Sequence, residues 1–234
     1  MRIILTDVGK RFNREWIFRH LNFEFTNGNA YAIIGPNGSG KSTLLQVIAG
    51  AIAESEGKIS YEMADDRWSV IERKSATDLR QRKTDNSQRT IANAQLASEN
   101  FYQHISLSAP YLELIEEMTL TEFFQFHQIF KPFFSTISIE KIIFEIGLEK
   151  SAHKQIRYYS SGMKQRVKLA QAIFSNTSVL LLDEPTTNFD EEGIELYHHL
   201  IKSYSANRII IVSSNDVQEY NFCMGRINIL DYKR

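Results

Sequence analysis

The run Gly35-Pro36-Asn37-Gly38-Ser39-Gly40-Lys41-Ser42-Thr43 fits the pattern G-x-x-x-x-G-K-[ST] at every fixed position. Its chemistry is phosphate binding. Glycines let successive backbone N–H groups turn inward as an anion nest, and a helix opening at the end of the run adds unpaired N–H groups and the positive end of its dipole. Lys41 can then reach the β- and γ-phosphates of a nucleoside triphosphate, and the Ser42 hydroxyl can hold a Mg²⁺ that bridges them. A second constellation follows far along the chain, where Leu180-Leu181-Leu182 runs into Asp183-Glu184-Pro185. Asp183 can hold the Mg²⁺ through its water shell. Glu184, one residue on, can orient and deprotonate the water that attacks the γ-phosphate.

Both groups need a parallel sheet to present them. Tyr31-Ala32-Ile33-Ile34 reads as a strand leading into the glycine run, and residues 42–49 as a helix closed by Gly50. This strand, loop and helix are the context in which the motif binds phosphate. Residues 178–183 form an apolar strand ending in a carboxylate, as a buried parallel strand ends at a site. Further strands are expected at 2–8, 21–25, 29–34, 57–61, 102–108, 208–212 and 226–230, with a turn at Asn27-Gly28. Helices are expected from the capping box Thr119-x-x-Glu122 to Pro132, then at 139–146, 162–174, 191–203 and 217–222. Residues 110–175 thus form a mostly helical block within a β/α chain. Residues 64–100 are polar and charged, with too few apolar side chains for a core, and read as a loop insertion in which 69–74 could form a helical turn.

The 234 residues, 43% of them hydrophobic, suffice for one α/β domain with subdomains, 1–234 as a unit, and hence for one nucleotide site per chain. A net charge of −1 and a pI of about 6.6 argue against a nucleic-acid partner. A single cysteine, Cys223, cannot form an internal disulfide, and the six histidines lack zinc-site spacing. No stretch approaches the length of an apolar membrane span, so the expected location is cytoplasmic.

The glycine run, Tyr159-Ser160-Ser161-Gly162-Met163-Lys164-Gln165-Arg166, and Leu180 through Asp190 resemble, in order and spacing, the ATP-binding subunits of ABC transporters. The resemblance covers nearly the whole chain outside 64–100. The form Tyr-Ser-x-Gly-Met-Lys-Gln-Arg is similar to that of ATPases of ABC-2-type exporters and the haem-exporter group. It implies an α/β fold of the P-loop NTPase class and ABC type, with a mixed β-sheet core, an antiparallel β subdomain and an inserted helical subdomain. It also implies a head-to-tail dimer in which Ser160 and Gly162 of one chain close on the γ-phosphate held by the other. Without the resemblance, Ser160-Ser161-Gly162 is equally well a helix cap. Asp190 matches the family's aspartate that crosses the dimer interface. Phe12 matches the aromatic that stacks on adenine, with Trp16 close enough to compete. The implied ligands are ATP and Mg²⁺, and the implied partners a second nucleotide-binding chain and a separate membrane permease, which would hold the chain at the inner face of the cell membrane.

Two departures stand out. Where the family has a glutamine or glutamate after the strand at 102–108, this chain has Pro110, and Gln103, Ser108 and Glu113 are equally open as substitutes. The family's switch histidine is replaced by Asn215, which donates a hydrogen bond but carries no charge. The expectation is an ATPase of slow turnover that powers a permease, with a lean to export; the helical block 110–175 is the implied docking face, and the aromatics of helix 122–130 serve either packing or a partner's helix. Two rivals are a non-transport ATPase of the same family and an ATP-gated regulatory module with little hydrolysis.

Overall fold

The computed structural model describes residues 1–62, 71–72 and 101–233. Two sheets organise them. The first is antiparallel: β1 (Arg2–Phe12) and β2 (Glu15–Thr26) form a long hairpin, and β4 (Glu56–Glu62) and β5 (Ile71–Glu72) extend it in the order β2-β1-β4-β5. The second is wholly parallel, with β3 (Ala30–Ile34), β6 (Ile105–Ser108), β7 (Val179–Asp183), β8 (Ile209–Ser213) and β9 (Gly225–Asn228) in the order β6-β7-β8-β3-β9. The mixed character expected of the core is therefore divided between two sheets.

Helices α1 (Lys41–Ala49), α2 (Leu120–Phe130), α3 (Ile139–Glu145), α4 (Ser161–Ile173), α5 (Glu191–Tyr204) and α6 (Val217–Tyr220) complete the fold. The period of two along the parallel strands sorts their side chains into two cores. Ala32, Leu180, Leu182, Ile210 and Val212 face the helical block, with Val167, Ala170, Tyr197 and Leu200. Ile33, Leu181, Ile209, Ile211 and Ile227 face the other way and pack with Leu44, Leu45 and Ile48 of α1 and with the antiparallel sheet. The parallel sheet is buried on both sides, so its strands read as unbroken apolar runs.

Three sequence expectations change. Residues 102–104 are not strand but part of a 3₁₀ turn, Phe101–His104, because β7 begins at Val179 opposite Ile105 and leaves nothing for them to pair with. Ile71–Glu72 form a strand and not a helical turn: Tyr61 pairs with Ile71 and Ser60 with Glu72 along the open edge of β4, while a helix of two turns has no such partners. The remainder of the 64–100 insertion lies outside the described residues. On either side of it the chain returns to the same place, since the Tyr61 and Phe101 ring centroids are 3.4 Å apart. Finally, Phe123 and Phe124 of the aromatic helix are core residues, at 6% and 0% exposure, and so are unavailable to a partner. Phe126, Ile129 and Phe130, at 39%, 73% and 67%, form its outward stripe.

Candidate functional site

Three strand ends meet at one edge of the parallel sheet. Ser213 of β8 lies in register between Ile33 of β3 and Asp183 of β7, so the chain leaves the sheet side by side at residues 35–40, 184–190 and 214–216. The first of these loops is built by its glycines. Gly35, Gly38 and Gly40 have φ of 147°, 74° and 105°, and a Cβ on Gly40 would stand 2.3 Å from Ile17 Cγ2. Only glycine fits there. The loop delivers α1, which starts at Lys41 and has no side-chain cap. Every other described α-helix has one: Thr119, Ser138, Ser160, Asp190 and Asp216 each accept a backbone N–H at α2 to α6. The leading N–H groups of α1 are thus left for a ligand acceptor.

Lys41 is buried, and its Nζ donates to the loop's own carbonyls, at 2.9 Å to Gly35 and 3.3 Å to Pro36. Those neutral acceptors hold the ammonium over the cradle where phosphate oxygens would replace them. A cavity of about 430 Å³ opens here, lined by Ile17, Asn37, Gly38, Gly40, Lys41, Ser42, Thr43 and Glu184. Ser39 is buried inside the turn, and its Oγ has no hydrogen-bond partner among the described residues.

At the end of β7, Asp183 is 2% exposed and its Oδ1 also has no hydrogen-bond partner among the described residues. Such an atom is costly unless something completes it, and a hydrated cation would. The described residues contain no cluster of three His, Cys, Asp or Glu, so a cation here would need nucleotide oxygens beside Ser42 and Asp183. The donor set fits Mg²⁺, which favours a few protein ligands plus phosphates.

Glu184 sits at φ 43°, in the left-handed region that costs a non-glycine residue about 1–2 kcal/mol. Its N–H donates to Ser213 O at 2.8 Å, and its own carbonyl accepts Thr187 Oγ1 at 2.9 Å. Buried Gln165 of α4 secures the next residue, Nε2 donating to Pro185 O at 2.8 Å. Across a second cavity of about 280 Å³ Glu184 shares a lining with Asn37, Thr186, Asn215 and Glu219. There Asn215 Nδ2 donates to Asn37 Oδ1 at 2.5 Å. The structure thus brings Lys41, Ser42, Glu184 and Asn215 together around the glycine loop, with Asn37 and Glu184 common to both cavities.

The family described as ABC transporter matches residues 18–187. The chain belongs to the ABC transporter family. ATP binding comes with that membership, and ATP hydrolysis is the reaction of ABC ATPases. Among similar proteins, the putative hemin import ATP-binding protein HrtA of Staphylococcus aureus is 28% identical over 228 residues, 94% of each chain. The lantibiotic transport ATP-binding protein SrtF of Streptococcus pyogenes is 24% identical over 213 residues, 91% of this chain and 79% of that one. The dimeric structure of MJ0796, a bacterial ABC transporter cassette, superposes with a TM-score of 0.72 at 22% identity, over 97% of this chain and 93% of that one. No described helix is long and apolar enough to cross a membrane.

Within this ABC chain Ser160 and Gly162 lie apart from the glycine loop. Ser160 and Gly162 line a third cavity, about 560 Å³, together with Arg166, Asn188 and Asp190. Ser160 Oγ accepts Met163 N at 3.2 Å and Asp190 Oδ1 accepts Gly193 N at 2.9 Å, so both side chains act as helix caps in the single chain. A Cβ on Gly162 would stand 3.3 Å from Asn188 O, which keeps the two segments close. The two aromatics that the resemblance offers for adenine lie outside the glycine-loop cavity. Phe12 is half exposed with Lys10 Nζ 5.0 Å from its ring centre, and it does not line the glycine-loop cavity, whereas Ile17 does. Trp16 is engaged by Arg19 and Arg11, at 4.1 and 5.4 Å from its ring.

Near the missing glutamine, Pro110 offers only its carbonyl, which accepts Lys168 Nζ at 2.8 Å. Of the three substitutes considered, Gln103 pairs with Tyr102 on the 3₁₀ turn, Glu113 lines a groove beside Lys168, and Ser108 is fully buried at the end of β6 with no hydrogen-bond partner among the described residues. Tyr111, next in the chain, lines the same groove as Pro110 and Glu113. The Tyr111 hydroxyl faces the Gln46 side chain of α1, and burial, with a smaller contribution from the Asp183 charge, raises its pKa. Nothing in a tyrosine after a proline signals this, because the contact depends on where α1 lies.

Proposed function

We propose that two copies of this chain close head to tail around two ATP·Mg²⁺ and drive a separate membrane permease in the export direction. The observation that carries the reading is the uncapped start of α1, which shares one cavity with Glu184. Lys41 and the α1 N–H groups bind and orient the triphosphate. Ser42 and Asp183 would hold Mg²⁺, which supplies charge neutralisation between the phosphates. Glu184 orients a water and takes its proton for in-line attack on the γ-phosphate. Asn215, held by Asn37, donates a hydrogen bond toward that phosphate.

Within one chain Ser160, Gly162 and Asp190 share a cavity that does not include Lys41 or Glu184. A second chain placed head to tail would supply them to the first chain's phosphate. Turnover is slow in this reading, since Asn215 brings no charge and Pro110 no side-chain donor. The same two residues favour the alternative, an ATP-gated module with little hydrolysis. Support for export is the Tyr-Ser-x-Gly-Met-Lys-Gln-Arg form; the name of one relative, by contrast, refers to import.

The permease would dock on the outward stripe Phe126, Ile129 and Phe130, an apolar row on an otherwise soluble face. A tagged chain extracted in detergent from its host should bring down a polytopic membrane protein. Replacing all three residues by Ser should lose that protein while leaving the circular dichroism and melting of the chain unchanged. Equal recovery by both forms would refute the docking face.

A further inference from the structure

Glu219, on the short helix α6, is 3% exposed and belongs to none of the roles above. Its Oε1 accepts two hydrogen bonds from one residue, Thr186 N at 2.7 Å and Thr186 Oγ1 at 2.5 Å. Oε2 is buried and makes no hydrogen bond of good geometry among the described residues. Burial raises the Glu219 pKa against the pull of its Ser214 and Thr186 donors. The backbone of the same residue is fixed as well, since Tyr197 OH donates to Glu219 O at 2.7 Å.

A half-buried ion pair would explain a carboxyl group in a core, but Glu219 faces only hydroxyl and amide donors. Placing it there is costly, and an apolar side chain of the same length would fill the space at lower cost. What Glu219 does uniquely is join two loops. It lies four residues after Asn215 and grips Thr186, two residues after Glu184, and all of them line one cavity. Glu184 itself is strained at φ 43° and depends on its neighbours to stay so. Four anchors surround it: Ser213 on its N–H, Thr187 Oγ1 on its carbonyl, Gln165 on Pro185, and Glu219 on Thr186.

We propose that Glu219 is a positioning residue for hydrolysis, locking the loop of Glu184 to the loop of Asn215 through Thr186 so that both face one phosphate. This deepens the ATP reading above and rests on it. Misplacing a reacting group by about 1 Å costs as much as 10²-fold in rate. Loss of the lock should therefore lower kcat by about 10- to 100-fold and leave the KM for ATP unchanged, because the glycine loop is untouched.

The test compares Glu219→Met, which keeps length and removes both acceptors, with Glu219→Gln, which keeps an acceptor for Thr186. Thr186→Val, which removes only the hydroxyl donor, stands in should the Met form not fold. Steady-state ATPase is measured beside hydrogen exchange of the segment 186–190. The proposal expects a kcat loss with unchanged KM in the Met form, exchange at least about tenfold faster there, and near-parental behaviour in the Gln form. Parental kcat and exchange in the Met or Val form would overturn it, as would a Gln form as impaired as the Met form. Failure of the parent itself to bind ATP would sink the functional reading instead, and the exchange data alone would then decide whether Glu219 locks the loop.

Discussion

Asn215 offers the sharpest prediction about rate. Its Nδ2 donates to Asn37 Oδ1 at 2.5 Å in a cavity that Glu184 also lines, so it is positioned but neutral. A positioned electrostatic group at a developing charge is commonly worth about 10²–10³ in rate, and a charged donor is roughly twice as strong as a neutral one. The Asn215–Asn37 pair is exposed in the single chain, which screens its effect and sets the expected contribution near the low end. Removing the amide in Asn215→Ala should therefore slow hydrolysis by about 10-fold, or about 1.4 kcal/mol in the barrier. Asn215→His restores a group that can carry charge and should raise turnover by a similar factor. The assay is phosphate release in a single turnover at saturating ATP, which separates chemistry from product release. An alanine form as fast as the parent, or a histidine form no faster than it, would refute the assignment of Asn215 to the γ-phosphate.

Other consequences follow from the same structure. Gly40→Ala combines a φ of 105° with a Cβ 2.3 Å from Ile17 Cγ2 and should weaken ATP binding by more than about tenfold in calorimetric titration; the second change Ile17→Ala should recover only part, since the backbone strain remains. His127 is partly buried beside Lys131, and that burial above all pushes its pKa from 6.5 down to about 4. Its folded pKa is depressed, so the unfolded chain takes up the proton first, and stability that is full above pH 6.5 should fall as pH drops toward 4, by up to about 3 kcal/mol. Chemical denaturation at pH 7 and pH 5 should show about 2 kcal/mol of that loss, and His127→Gln should flatten it. Replacing residues 73–100, the part of the insertion after β5, by a short Gly-Ser loop should leave folding and ATP affinity as before, because closing a surface loop costs little in entropy; loss of either would show that the segment is part of the cassette.

The glycine loop was legible because its function is written in local backbone chemistry: three glycines, a lysine and a hydroxyl between an apolar strand and a helix. Asp183 and Glu184 were legible for the same reason, at the end of an apolar run. Contacts made across the fold were not. Ile17 against Gly40, Asn37 beside Asn215, and Thr186 held by Glu219 join residues far apart in the chain, and no period or spacing encodes them. The aromatic helix shows the limit most plainly. Leu120, Phe123 and Phe124 make one apolar stripe and Phe126, Ile129 and Phe130 another, and helical spacing alone cannot choose which one meets the core. Phe123 and Phe124 meet the core, so of the helix's four phenylalanines only Phe126 and Phe130 remain open to a partner. Residues 102–104 failed as a strand because pairing is a property of the neighbouring strand's length, which β7 sets.

The account stands or falls on ATP hydrolysis by the purified chain, measured beside Glu184→Gln with the oligomeric state followed in the same samples. It predicts magnesium-dependent turnover that the variant loses, together with a stable ATP-bound dimer in the variant that the parent forms only transiently. Turnover no higher in the parent than in Glu184→Gln, with or without a dimer, would contradict it.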